Sequence, residues 1–282
     1  MAALVGVSVM LTSCDSLELG PIDNYGSGNY WQNLAQVQAY VNGMHVDLRN
    51  NAFNRQFING EARGGLQVIG TGSQGASTYN DVIKGNTITG DNTGISGWGG
   101  YYSNIFDCNL LIKQVEGTAL HTANQKDIDY LLAQTYAIRA LYYFTLYRTY
   151  GGVPIVTDVK LLNGKIIQSD LYTPRATPKE VMDFIKADLD KAFAYFTSSG
   201  KDWTNNVTWS KPATQMLAAE VYLWSAKVKL GNQQPAAGDL TKAEGYLNEV
   251  KNNTKFGLVT EFADVFKSTN EGNKEIIFAI NF

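Results

Sequence analysis

Between residues 60 and 102 the chain gathers aromatic rings and short polar side chains inside a stretch rich in Gly, Asn, Ser and Thr. Tyr79, Trp98 and Tyr101 supply rings, and Arg63 and Asp81 supply a charged donor and a charged acceptor. Sugars call for such a mixture. Their C–H faces are apolar and sit on flat rings, and their hydroxyl rims take guanidinium, amide or carboxylate partners. These five residues are therefore the candidate glycan contacts, with Trp98 and Tyr79 as stacking surfaces and Asp81 and Arg63 bonding to hydroxyls. Plainer readings stand beside this one. Trp98 precedes Gly99-Gly100 and a helical run, where an indole can anchor a helix start against the core. Tyr79-Asn80-Asp81 also reads as a turn. Trp203 and Trp209 flank Asn205-Asn206 in a second aromatic loop.

Catalysis finds no comparable gathering. The two cysteines, Cys14 and Cys108, and the two histidines, His45 and His121, match neither zinc spacing nor a thiol–imidazole pair. Cys108 falls on a helical stripe with Tyr101, Ile105, Ile112 and Val115, which makes it a small buried hydrophobe. Cleaving a glycosidic bond takes two carboxylates facing each other across it. Asp188 and Asp190 stand two apart on a helical run and point to different sides. No phosphate-cradling loop or nucleophile elbow occurs. The residues thus predict a binding protein rather than an enzyme, without metal or cofactor. A formal charge of −3 with no basic block excludes a nucleic-acid partner.

The first 14 residues predict a targeting segment. Ala2 to Thr12 is apolar or small and uncharged, and too short to span a bilayer as a helix. Leu11-Thr12-Ser13-Cys14 follows, and resembles the lipobox of bacterial lipoproteins, which are cut before the Cys and acylated on its thiol. Cys14 is the expected lipidation site, anchoring the chain to a membrane through acyl chains. Residues 15–30 read as a tether, and 31–282 as the folded domain.

What must position the candidate contacts is mostly helical. Val37, Tyr40, Val41, Met44 and Leu48 share one side of a helix over 32–50. Residues 51–97 form a long loop excursion, with short strands expected near 66–69 and 86–89. Helices are expected over 99–116 and 125–149. The second of these is apolar nearly all round, with Ala133, Ala137 and Ala140 in a stripe, so it should be enclosed. Gly151-Gly152 stops it, and Val153-Pro154-Ile155-Val156 leaves extended. Thr177-Pro178-Lys179-Glu180 is a capping box, and that helix runs to Gly200. Ser210 caps a helix that Gly231 ends, and Asp239 caps a shorter one. The pattern predicts a mainly α fold of stacked tetratricopeptide-like hairpins with long loop excursions and a few short strands. The closing run from Glu275 to Phe282 is apolar and β-rich with no turn after it, and predicts a chain that continues.

The run from Arg139 through Tyr150-Gly151-Gly152-Val153-Pro154-Ile155-Val156 resembles the hallmark of the SusD/RagB family. So do Trp98 with Tyr102, Ile105 and Asn109, the capped helix from Thr177 through Asp188-Leu189, and Asn273-Lys274-Glu275-Ile276-Ile277-Phe278. The resemblance implies a surface lipoprotein of the bacterial outer membrane that captures nutrient, most often glycan. It also implies delivery to a TonB-dependent (SusC-like) barrel transporter, with the helical repeats facing that barrel. A peptide-binding role and a scaffold for protein partners remain as alternatives. Family chains are longer, so the 282 residues correspond to an N-terminal portion.

Overall fold

The computed structural model describes residues 30–52, 87–92, 97–159 and 168–280. Cys14, Arg63, Tyr79, Asp81 and the strand expected at 66–69 lie outside them. Within them lie seven α-helices: α1 (Leu34–Asp47), α2 (Gly99–Val115), α3 (Ala119–Ala123), α4 (Gln125–Tyr150), α5 (Pro178–Ser199), α6 (Lys211–Lys227) and α7 (Asp239–Lys251). A π turn, Leu48–Ala52, extends α1.

The helices stack as antiparallel hairpins. Ser198 donates to Asp129, Arg139 reaches Asp188, and Tyr143 meets Phe184, so α4 and α5 run in opposite directions. Gln215 with Glu249, Tyr222 with Tyr246 and Ser225 with Asp239 give α6 and α7 the same relation. Lys186 on α5 joins the two hairpins. Its Nζ donates to Ser225 Oγ at 2.8 Å and to Asp239 Oδ2 at 2.6 Å. This is the tetratricopeptide-like, mainly α architecture that the periodicity predicts.

The core sits around α4. Ala133, Ala137 and Ala140 are fully buried, as are Leu132, Ile138, Tyr143 and Phe144 on its other sides. A helix without a polar face must be wrapped by others, and α1, α2, α5 and α6 all contact it. On α5 the buried stripe is Val181, Ile185, Leu189, Ala192 and Phe196. Its start is fixed chemically. Thr177 Oγ1 accepts the Glu180 N–H, and the Glu180 carboxylate accepts the Thr177 N–H at 2.7 Å. That backbone bond holds the Glu180 carboxyl below its ordinary pKa. Gly200, at φ +67°, closes the helix in the left-handed region open to glycine.

Several local expectations are corrected. Residues 87–89 carry no strand. Thr89 instead forms a turn with Asn92, whose N–H donates to Thr89 Oγ1 at 3.1 Å. Among the described residues the β structure is a single bridge, Leu230 to Gln233. Asn86-Thr87-Ile88-Thr89 has β-type composition, but a strand needs a partner to ladder with. Asp239 does not cap α7: it is the first helical residue, Gly238 holds the cap position, and the carboxylate pairs with Lys186. Helix α6 stops at Lys227, because Val228 adopts an extended backbone. Thr118 caps the short α3, which periodicity does not announce.

Candidate ligand-binding site

Trp98 sits at the N-cap position of α2, its ring partly buried. It packs edge-on against Tyr150, at 5.5 Å between centroids, and against Tyr102 at 6.3 Å. The Arg175 guanidinium lies over the indole, 5.2 Å from its centroid. The same guanidinium caps the end of α4: Nε donates to Gly152 O at 2.7 Å and Nη2 to Tyr150 O at 2.8 Å. Tyr102 Oη donates to Pro154 O at 2.6 Å. Burial of Tyr102 raises its phenol pKa, so it stays a neutral donor. The hallmark run around Gly151-Gly152-Val153-Pro154 is thus a folding device. Its carbonyls are held by Arg175 and Tyr102, and Trp98 covers the junction.

Gly152 is glycine because of a close approach. A Cβ there would stand 2.2 Å from Ala176 O, inside contact distance. Ala176 N–H donates to Val153 O at 3.1 Å, which holds the two segments together.

Tyr101 is corrected from a candidate contact to a core residue. It is 3% exposed and belongs to the buried cluster with Ile105 and Cys108. A ring with no free face cannot stack on a sugar. Trp209 is 4% exposed, and its Nε1 donates to Thr214 Oγ1 at 2.9 Å. Trp203 packs edge-on against Phe256, beneath the Lys255 ammonium. Among the described residues, Trp98 is therefore the predicted contact that stays partly open.

Sequence reasoning missed the polar centre of the bundle. Arg139 donates through Nε to Asp188 Oδ2 at 2.8 Å, through Nη2 to Asp188 Oδ1 at 2.6 Å, and through Nη1 to Asn109 Oδ1 at 2.7 Å. Asn109 Nδ2 then donates to Val156 O at 2.8 Å. Three helices and the 153–156 segment are locked by one buried guanidinium. Burial works to lower its pKa, but the bonds to Asp188 and the Asp188 charge outweigh that and raise it. Burial pushes the Asp188 pKa up, and the Arg139 bonds and charge pull it down. A guanidinium donating to both oxygens is the geometry of an ionised carboxylate. Asp188 is thus committed to structure, while Asp190 is exposed.

One cluster contains the residue types of a nucleophilic triad in the wrong order. His121 Nε2 lies 2.7 Å from Asp129 Oδ1, and Ser198 donates to the other oxygen of Asp129. The Gly117 N–H occupies His121 Nδ1 at 3.0 Å. No imidazole nitrogen faces the Ser198 hydroxyl, so nothing here prepares a nucleophile. Cys108 is fully buried, and burial drives its thiol pKa up, away from reactive thiolate.

A SusD-like family model, described as starch-binding and associating with the outer membrane, matches residues 26–223. The chain belongs to the SusD-like family. A SusD superfamily protein of Bacteroides fragilis is 37% identical with a TM-score of 0.77, over 90% of this chain and 50% of that one. Another B. fragilis structure, NanU, is 30% identical with a TM-score of 0.75, over 93% of this chain and 50% of that one. SusD-like protein P38 of Formosa agariphila is 27% identical over 224 residues, 79% of this chain and 41% of its own. The chain spans about half the length of these relatives.

The SusD-like chain also carries an open apolar groove of about 780 Å³ between α6, α7 and the 275–280 segment. Met216, Leu217, Leu223, Leu247 and Phe278 line it. Its walls are mostly aliphatic, with Glu220 and Glu275 as the charged groups of the lining, so it offers few polar partners for the hydroxyl rim of a sugar. Among the described residues no group of three or more metal-ligating side chains occurs, and no helix is long and apolar enough to cross a membrane.

Proposed function

We propose that this SusD-like protein captures glycan at the outer surface of the outer membrane and passes it to a TonB-dependent, SusC-like barrel transporter. The family match over residues 26–223, with its starch-binding description, carries this reading. Trp98 and Tyr79 supply stacking faces, and Asp81 and Arg63 bond to hydroxyls. A sugar face on an indole removes apolar area from water, at about 25 cal/mol per Å². Each hydroxyl bond mostly exchanges water for protein and contributes roughly 1 kcal/mol. Rings therefore dominate affinity, and polar groups select among sugars.

Affinity electrophoresis against starch and a panel of other polysaccharides tests the reading. At least one glycan should retard the folded protein, and Trp98→Ala and Tyr79→Ala should each weaken retention by about tenfold, the loss of one stacked face. Folded protein that no glycan in the panel retards would overturn the glycan reading. Unchanged retention in both variants would move the site elsewhere.

The reading places the protein on the membrane through acyl chains on Cys14. Cys14→Ala should leave the circular dichroism spectrum unchanged and shift the protein from the membrane to the soluble fraction. Retention of the variant in membranes lacking the transporter would sink the anchor assignment.

A further inference from the structure

His45, in the last turn of α1, uses both ring nitrogens. Nδ1–H donates to Val41 O at 2.9 Å, and Nε2 accepts the Trp209 N–H at 2.9 Å. The Trp209 bond requires a neutral ring, because an imidazolium carries a second proton on Nε2 and can no longer accept.

What that amide holds gives the contact its reach. Trp209 ends a loop in which Asn205 Oδ1 accepts the N–H groups of Val207 and Thr208. Asn206 O, in the same loop, accepts the Ala279 N–H at 2.7 Å. The Trp209 ring packs on Phe278, with centroids 5.0 Å apart. One imidazole thus holds a loop, and the loop holds the 276–280 segment that walls the apolar groove.

The surroundings oppose a second proton. A cavity of about 170 Å³ beside the ring is lined by Val207, Phe278, Ala279, Ile280 and the cationic Arg49. Asp47 lies two residues along the same helix. Residues 205–209 and 276–280 contain no charged side chain to receive an imidazolium.

We infer that His45 is a proton-sensitive clasp, whose protonation releases the Trp209 amide and loosens the 276–280 segment from the 205–209 loop. Burial lowers the His45 pKa below its ordinary value, and the bond to Val41 O raises it by less. The unfolded ring binds its proton near about pH 6.5, and the folded ring at a lower pH. Stability from the clasp is therefore complete above that ordinary value and is lost as pH falls from there toward the folded pKa.

Amide hydrogen exchange, corrected for intrinsic rates, tests the clasp alongside NMR titration of the ring. Between pH 7.5 and pH 5, protection at Trp209 and Ala279 should fall by about tenfold or more relative to α4. His45→Gln, whose side-chain oxygen accepts an N–H at every pH, should abolish that fall, and His121→Gln should keep it. A His45 ring titrating at or above about 6.5 would overturn the inference, as would a fall that persists in His45→Gln. Should His45→Gln fail to fold, ring titration and exchange in the unmodified protein must share one midpoint; separate midpoints reject the clasp.

Discussion

Arg139→Ala is expected to destabilise the protein by about 3–5 kcal/mol, the range for breaking a buried ion pair from one side. The variant removes the guanidinium from both oxygens of Asp188, a side chain only 4% exposed in the parent. Asn109 loses its acceptor role too, so its side chain becomes free to let go of Val156 O. Urea denaturation checks the size, provided that unfolding is reversible. A double variant, Arg139→Met with Asp188→Leu, separates loss of charge from loss of packing. Apolar residues of similar volume often replace a buried pair at little net cost, so the double variant should recover most of the stability. A single variant within about 1 kcal/mol of the parent would show that water reaches Asp188 and that the lock is weak.

Gly152→Ala should cost about 3 kcal/mol or more, at the upper end of overpacking, because the obstacle is backbone. The new methyl would stand 2.2 Å from Ala176 O and 3.3 Å from Pro178 Cδ. Relief requires residues 152–153 and 175–176 to separate. That movement breaks the Ala176–Val153 bond and pulls Arg175 from the end of α4. Gly245→Ala is the matched control. Gly245 lies within α7 and has open space where a methyl would stand, so alanine there should stabilise by up to about 1 kcal/mol. A Gly152→Ala midpoint equal to that of the parent would mean that the close approach relaxes freely.

Helices are legible where local chemistry alone sets them. The Thr177-Pro178-Lys179-Glu180 box starts α5 without help from any distant residue. The alanine stripe of α4 reports its own enclosure, because a helix apolar on every side has nowhere to lie but inside. Asp239 misleads because its partner, Lys186, is 53 residues away. His45 and Trp209 are farther apart still, and no spacing rule joins them. Arg139 and Asp188 stand in recognisable segments, but pairing them takes the packed hairpin. Tyr101 is a different case. It shares a helical stripe with Ile105 and Cys108, so the signal for burial is present in the sequence and outweighs its aromatic character. Trp98 is divided between anchor and contact: its packing on Tyr150, Tyr102 and Arg175 is the anchor, and the contact is the proposal. Tyr79, Asp81 and Arg63 fall in a stretch of sequence where no periodicity constrains direction.

The junction at the end of α4 also has an entropic meaning. Trp98 is braced by Tyr150, Tyr102 and Arg175, and Tyr150 ends the most enclosed helix of the bundle. An aromatic platform on a free loop must be immobilised when ligand arrives, and an ordered side chain forfeits about 0.5–1.5 kcal/mol of binding free energy in the process. Trp98 has surrendered that freedom during folding. Any partner that meets the exposed part of its ring finds a surface already fixed in place, so less of that contact is lost to ordering than on an unbraced loop.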